Sequence, residues 1–112
     1  MADQALVQRN CQSLPAGTPA LKDDQIKSFL KQLRDWRIDG KELVRELKFD
    51  NYYQTVSTAV AVAMLAQRED HHPDMLVSYN RLTIRFSTHS VGGLSENDFI
   101  CAAKVDELVP TT

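Results

Sequence analysis

The residues best suited to chemistry in this sequence are its three histidines, His71, His72 and His89. Imidazole titrates near neutrality, so it can take a proton and return one at cellular pH. A group of imidazoles therefore suits a reaction in which one proton is removed and another is delivered. Two of the three are adjacent and precede Pro73, while the third follows a segment of alternating apolar and polar residues. Composition and spacing leave three other readings open: surface histidines with no role, a metal site, or a protein-interaction surface. Against a metal, adjacent histidines on a strand point in opposite directions, and no thiol or HExxH spacing accompanies them.

A helix, a hairpin and a second helix must position these side chains. The first of these helices is expected to begin after Asp50 as its N-cap, with Tyr53, Val56, Val60, Ala63 and Met64 as its apolar stripe. It should end before Pro73, which stops the helix and starts a strand, because the residue before a proline avoids helical geometry. Met75 to Tyr79 and Leu82 to Ser87 then form a hairpin about Asn80-Arg81, since Asn tolerates positive φ. That register sets Tyr79 against Leu82, Val77 against Ile84 and Met75 against Phe86, all on the core face. Extended outward, it pairs His72 with His89, and places His71 beside them at the helix-strand junction. His89 follows Thr83, Arg85 and Ser87 on the polar face, from which Arg85 could reach the same place. The last helix runs from Ser95 to about Val109, and Ser95-x-x-Asp98 has the form of a capping box. Asp98 could cap that helix and also orient His89. Gly92-Gly93 reads as loop geometry.

Upstream, residues 1–20 read as an irregular lead-in carrying Pro15, Gly17 and Pro19. A helix from Asp23 to about Leu33 follows, with Ile26, Phe29, Leu30 and Leu33 at helical spacing and Asp23-Asp24 favouring its start. Trp36 to Ile38 and Leu43 to Phe49 read as strands joined through Asp39-Gly40. The order is α-β-β-α-β-β-α. This is an α+β fold, with helices on one face of a four-stranded antiparallel sheet, and residues 21–112 form one domain. A length of 112 residues, 43 % hydrophobic and 25 % charged, fits that size and class.

The formal net charge is -2 and the like-signed runs are short, which argues against nucleic-acid binding. No apolar run approaches the roughly 18 residues that span a membrane, and the N-terminus lacks an apolar signal core. Cys11 and Cys101 have no CxxC spacing and read as two free thiols in a reducing compartment. These features point to the cytoplasm.

The segment His71-His72-Pro73, followed by Tyr79, His89 and Asp98, resembles the signature of the pterin-4a-carbinolamine dehydratase family. Five residues separate Pro73 from Tyr79, nine separate Tyr79 from His89, and eight separate His89 from Asp98. The stretch from His89 to Phe99, Trp36, the Phe49-Asp50-x-Tyr52 turn and the Ala-rich helix also resemble the family layout. The likeness covers roughly residues 20–109. It implies dehydration of 4a-hydroxytetrahydropterins to quinonoid dihydropterins, with no metal or organic cofactor. That reaction recycles the pterin used by aromatic amino acid hydroxylases. The resemblance further implies proton transfer by His71 and His89, substrate binding by His72, and a homodimer or homotetramer. Pro73, Asp98, Gln67 and Arg85 are the supporting positions. Gln67 departs from the family pattern, which usually has a charged residue four positions before the first histidine. Glutamine can hydrogen-bond a pterin edge but cannot act as a base. Some animal members also stabilise dimers of a homeodomain transcription factor. The alternative is therefore a catalytically weak pterin-binding or protein-binding regulator on the same fold.

Overall fold

Alternation along two segments builds the middle of the sheet. In Glu42–Lys48 (β2) Leu43 and Leu47 face the core, and in Arg81–Phe86 (β4) Leu82, Ile84 and Phe86 do so. In a computed structural model of the chain, describing residues 4–109, these strands pair antiparallel as Leu43 with Phe86 and Leu47 with Leu82. Arg37–Asp39 (β1) and Asp74–Val77 (β3) form the two edges, in the order β1-β2-β4-β3. Three helices, Asp23–Leu30 (α1), Tyr52–Glu69 (α2) and Glu96–Leu108 (α3), complete the α-β-β-α-β-β-α order of an α+β fold. Short 3-10 turns occupy Leu6–Gln8 and His89–Val91.

Both hairpins turn one residue away from the expected place, in opposite directions. The first turns through Gly40-Lys41, pairing Asp39 with Glu42, and Gly40 supplies the positive φ of 61°. The second turns through Tyr79-Asn80, pairing Val77 with Leu82 and Met75 with Ile84. Tertiary bonds decide the second case. The Tyr79 carbonyl accepts from the Thr55 hydroxyl at 3.0 Å, and the Asn80 carbonyl accepts from the Phe49 N–H at 2.8 Å. Moving a turn by one residue moves the pairing by two, which preserves the faces, so Leu82, Ile84 and Phe86 remain in the core. Tyr79, expected in the core, is exposed in the turn and stacks on Tyr52, with ring centroids 6.5 Å apart.

Helix α2 is capped by Asn51 rather than Asp50, its side chain accepting from the Gln54 N–H at 2.9 Å. It buries Thr55, Ala59, Val62, Leu65 and Ala66. The expected stripe is wrong: Tyr53, Val60 and Met64 are 81 %, 55 % and 63 % exposed. Thr55 is the cause. A hydroxyl counts as polar, but this one is satisfied by the Asn51 and Tyr79 carbonyls and so can face inward. Helix α1 stops at Leu30, and the chain continues to Leu33 through tighter turns, with the Leu33 N–H bonding the Leu30 carbonyl at 3.1 Å. Its N-cap is Lys22, whose N–H donates to Gln25 Oε1 at 2.9 Å.

Two further features hold the core together. Leu6 is fully buried, its N–H donating to Gln32 Oε1 at 2.9 Å. Asp106, buried on α3, gathers the Trp36 indole N–H at 2.8 Å, Arg45 Nη1 at 2.5 Å and the Arg34 N–H at 2.8 Å. One carboxylate thus ties β2, the residues before β1 and α3 together, and its buried charge is met by donors on three sides.

Candidate active site

His71 owes its place to how α2 ends. Asp70 adopts the left-handed conformation, with φ 52° and ψ 42°, and closes the helix. The His71 N–H then bonds the Ala66 carbonyl at 3.1 Å, directing its side chain off the helix axis. Pro73 follows and β3 opens at Asp74, so the proline stands where the helix-to-strand switch was expected. The His71 ring stacks on Phe86 with centroids 5.9 Å apart and planes 8° apart.

Asp98 is the buried centre of the site. Its Oδ1 lies 2.5 Å from His71 Nε2, and its side chain is fully buried. Its Oδ2 accepts the Thr88 hydroxyl at 2.8 Å and the Ser95 N–H at 2.9 Å. The second bond is half of the capping box at the start of α3, as the Ser95-x-x-Asp98 pattern predicts. Thr88 Oγ1 and Ser95 Oγ are 2.8 Å apart. Thr88 donates its one hydroxyl proton to Asp98, so Ser95 is the donor to Thr88. The carboxylate therefore orients His71, not His89 as the sequence suggested.

The expected pairing of His72 with His89 does not form, because the hairpin register is two residues away from the one that would oppose them. The exposed His72 ring instead meets Gln67, with Nε2 to Oε1 at 3.0 Å. An amide oxygen accepts, so Nε2 carries the proton in this contact. His89 is not in a strand. It opens the 3-10 turn His89–Val91, which Gly92 closes at φ 71° with its N–H on the His89 carbonyl at 3.0 Å. Thr88 and Gly93 bridge across that loop at 2.9 Å. A Cβ on Gly93 would stand 3.2 Å from that of Ala20, so this glycine serves loop packing.

His89 lines a cleft of about 250 Å³ with Lys41, Glu42, Ser87, Thr88, Gly92 and Gly93. Arg85 borders it indirectly, with Nη1 donating to Asp39 at 3.1 Å and to the cleft residue Glu42 at 3.2 Å. The Asp39 hydrogen bond, with the negative charges around it, holds the Arg85 guanidinium above its usual range. His71 and His89 are connected through one carboxylate: Asp98 holds His71 and also Thr88, the residue before His89. His72 stands apart from that chain. Among the described residues, no group of three or more His, Cys, Asp or Glu side chains is placed to hold a metal ion. No helix among them is long and apolar enough to cross a membrane.

Thr88, Lys41 and Glu42 are the cleft residues that sequence reasoning missed. Thr88 was legible only as a neighbour of His89. Lys41 and Glu42 come from the other hairpin, and only the pairing of β2 with β4 brings them near.

A family model described as pterin 4 alpha carbinolamine dehydratase matches residues 19–108. A Nitrosomonas eutropha protein provisionally named pterin-4-alpha-carbinolamine dehydratase is 47 % identical over 105 residues, which are 93 % of each chain. A Chromobacterium violaceum protein of the same provisional name is 50 % identical over 92 residues, covering 82 % of this chain and 85 % of that one. Among solved structures, a transcriptional coactivator/pterin dehydratase from Brucella melitensis superposes with a TM-score of 0.75 at 28 % identity, covering 80 % of this chain and 97 % of that one. A pterin dehydratase-like protein identified as a RuBisCO assembly factor in the alpha-carboxysome gives 0.60 at 26 % identity, covering 72 % and 96 %.

Proposed function

This chain belongs to the pterin-4-alpha-carbinolamine dehydratase family, and from that premise we propose that it converts a 4a-hydroxytetrahydropterin to the quinonoid dihydropterin and water. The 4a-hydroxyl takes up a proton and leaves as water, while the ring N–H gives one up. The reaction needs an acid and a base, with no net change in protons. His71 and His89 fill those two roles. His72, exposed and bonded to Gln67, binds the pterin edge. Asp98 fixes the His71 ring, and Pro73 sets the chain direction after it. Arg85 holds Glu42 at the cleft rim. The product would return to aromatic amino acid hydroxylases as their reduced pterin.

The observation that carries this reading is the contact of His71 Nε2 with the buried Asp98. A buried carboxylate on one ring nitrogen fixes the ring and leaves the other nitrogen, Nδ1, to exchange protons with substrate. The test is to generate 4a-hydroxytetrahydropterin and follow its ultraviolet decay with and without the protein. Decay well above the buffer rate is the expected result. Decay at the buffer rate would remove the dehydratase reading. If a pterin analogue still bound, the regulator reading would take its place, favoured by Gln67 standing where the family usually has a charge.

The protein also acts as a homo-oligomer in this reading. Val60 and Met64 on α2 and Leu76 on the edge strand β3 are more than half exposed, and such apolar surface supports self-association. Sedimentation at micromolar concentration should give a dimer or tetramer mass; a monomer would rule this out.

A further inference from the structure

Cys11 and Cys101 are 90 residues apart in sequence, yet their sulfurs lie 3.5 Å from each other. Cys101 is fully buried on α3, whereas Cys11 is half-buried in the N-terminal segment. That segment is clamped on both sides of the thiol. The Cys11 N–H donates to Glu69 Oε1 at 2.7 Å. Gln12 and Asn97 exchange two bonds, the Gln12 N–H to Asn97 Oδ1 at 3.0 Å and Asn97 Nδ2 to the Gln12 carbonyl at 2.8 Å. Leu6, earlier in the same segment, is buried in the core. The two thiols therefore face each other across elements held in place by other bonds, and the Cys101 sulfur also lies 3.9 Å from the His71 carbonyl.

We propose that Cys11 and Cys101 form a reversible intramolecular disulfide, a redox latch that fastens the N-terminal segment to α3 beneath His71. Both are thiols at rest, and a hydroperoxide is the oxidant. The more exposed Cys11 reacts first: its sulfur takes the distal oxygen of the hydroperoxide and becomes a sulfenic acid, and the reduced peroxide leaves as an alcohol, or as water from hydrogen peroxide. Cys101 then attacks the Cys11 sulfur. The S–S bond forms as the S–O bond breaks, and the hydroxyl leaves with the Cys101 proton as water. Two thiols are oxidised by two electrons and one hydroperoxide is reduced. A dithiol reductant reverses the step by exchange. Cys101 is suited to the second role. Its sulfur already faces Cys11 at 3.5 Å, and its hydrogen bond with Cys11, followed by burial, holds its thiol above the usual range, so Cys101 is not the sulfur that peroxide oxidises first. The sulfurs must approach from 3.5 Å to the roughly 2.05 Å of a disulfide, a movement within reach of side-chain rotation and small backbone shifts.

The test is to treat the fully reduced chain with a small excess of hydrogen peroxide and measure its intact mass under denaturing conditions. The expected product is a single chain two hydrogens lighter, restored by dithiothreitol. Because the bond closes a loop of about 90 residues, Tm should rise by roughly 10 °C in the oxidised form and fall back on reduction. Cys101→Ala should stop at a Cys11 sulfenic acid that dimedone traps, and Cys11→Ser should leave Cys101 unmodified. If Cys101→Ala is too unstable to handle, the Cys11→Ser variant and the wild-type mass shift decide the matter alone. Two free thiols after peroxide, a disulfide between two chains, or oxidation of Cys101 with Cys11 intact would each overturn the proposal.

Discussion

Replacing His71 with alanine should slow enzymatic loss of 4a-hydroxytetrahydropterin by about 10²–10⁴-fold, the range for removing a general acid or base. Of the three histidines, His71 is the one whose surroundings look built for proton transfer. Its side chain is 13 % exposed, its ring is stacked on Phe86, and Nε2 is fixed by a fully buried carboxylate. Such a ring loses little freedom when substrate binds, and its free nitrogen points from a defined position. His72 offers a contrast. It is exposed, and its ring bonds an exposed amide. His72→Ala should therefore raise KM more than it lowers kcat, the signature of lost binding common to ground and transition states. The His71 variant also leaves Asp98 with one donor fewer in a buried place, so a fall in Tm is expected alongside the fall in rate. Rates should be compared below the variant's unfolding range. A folded His71→Ala protein within a few-fold of the wild-type kcat would remove His71 from the chemistry.

Much of the fold was legible because its signals are local. The alternation of Leu82, Ile84 and Phe86 marks a half-buried strand whatever it pairs with. Ser95-x-x-Asp98 marks a helix start from four residues. Pro73 limits α2 from one. The element order follows from such signals, and so does the face of β4 that is buried. What failed needed distant partners. The second hairpin turns through Tyr79-Asn80 because Thr55 and Phe49 bond the turn carbonyls, and neither residue lies in the hairpin. The buried face of α2 is built around a threonine whose hydroxyl is satisfied by a turn 24 residues away. Leu6 gives no periodic signal, because it enters the core with its neighbour Val7 from one short turn.

The site divides along the same line. Its ingredients are visible as residue types, and the expected hairpin register sets two histidines side by side. The structure uses the ingredients differently. His72 and His89 are not opposed, and the connection runs from His71 through Asp98 to Thr88. Asp98 was read correctly as a cap, but a cap has two carboxylate oxygens and the capping box occupies one of them. The free oxygen is what His71 meets, 27 residues earlier in the chain. Nothing in the sequence states that α2 ends against the start of α3. That juxtaposition depends on the left-handed turn at Asp70 and on packing of both helices over the same sheet face.

Asp98→Asn should separate the two duties of this carboxylate, lowering kcat by about 10²–10⁴-fold while the fold survives. The amide can put its oxygen where Oδ2 stands and still accept from the Thr88 hydroxyl and the Ser95 N–H, so the cap of α3 is preserved. Its NH₂ group must then face His71 Nε2, in the place of the oxygen now 2.5 Å away. Two N–H groups cannot face each other, so the imidazole either swings away or moves its proton to Nδ1 and accepts at Nε2. In the second case Nδ1, the nitrogen left for substrate, becomes a donor where it had been an acceptor. The ring is present and placed, yet in the wrong tautomer. The same exchange in the serine-protease triad costs about 10⁴ in kcat for this reason. Stability should fall by only about 1–3 kcal/mol, for a charge-assisted bond replaced by a neutral one. Asp98→Ala should lose more, about 3–5 kcal/mol, because it strips the cap and leaves three donors without their acceptor. Paired measurement of kcat and Tm distinguishes the roles. An asparagine variant with wild-type kcat would reduce Asp98 to a helix cap. One that lost Tm and kcat together, to the same extent as alanine, would mean that the carboxylate acts on the rate only by holding the fold.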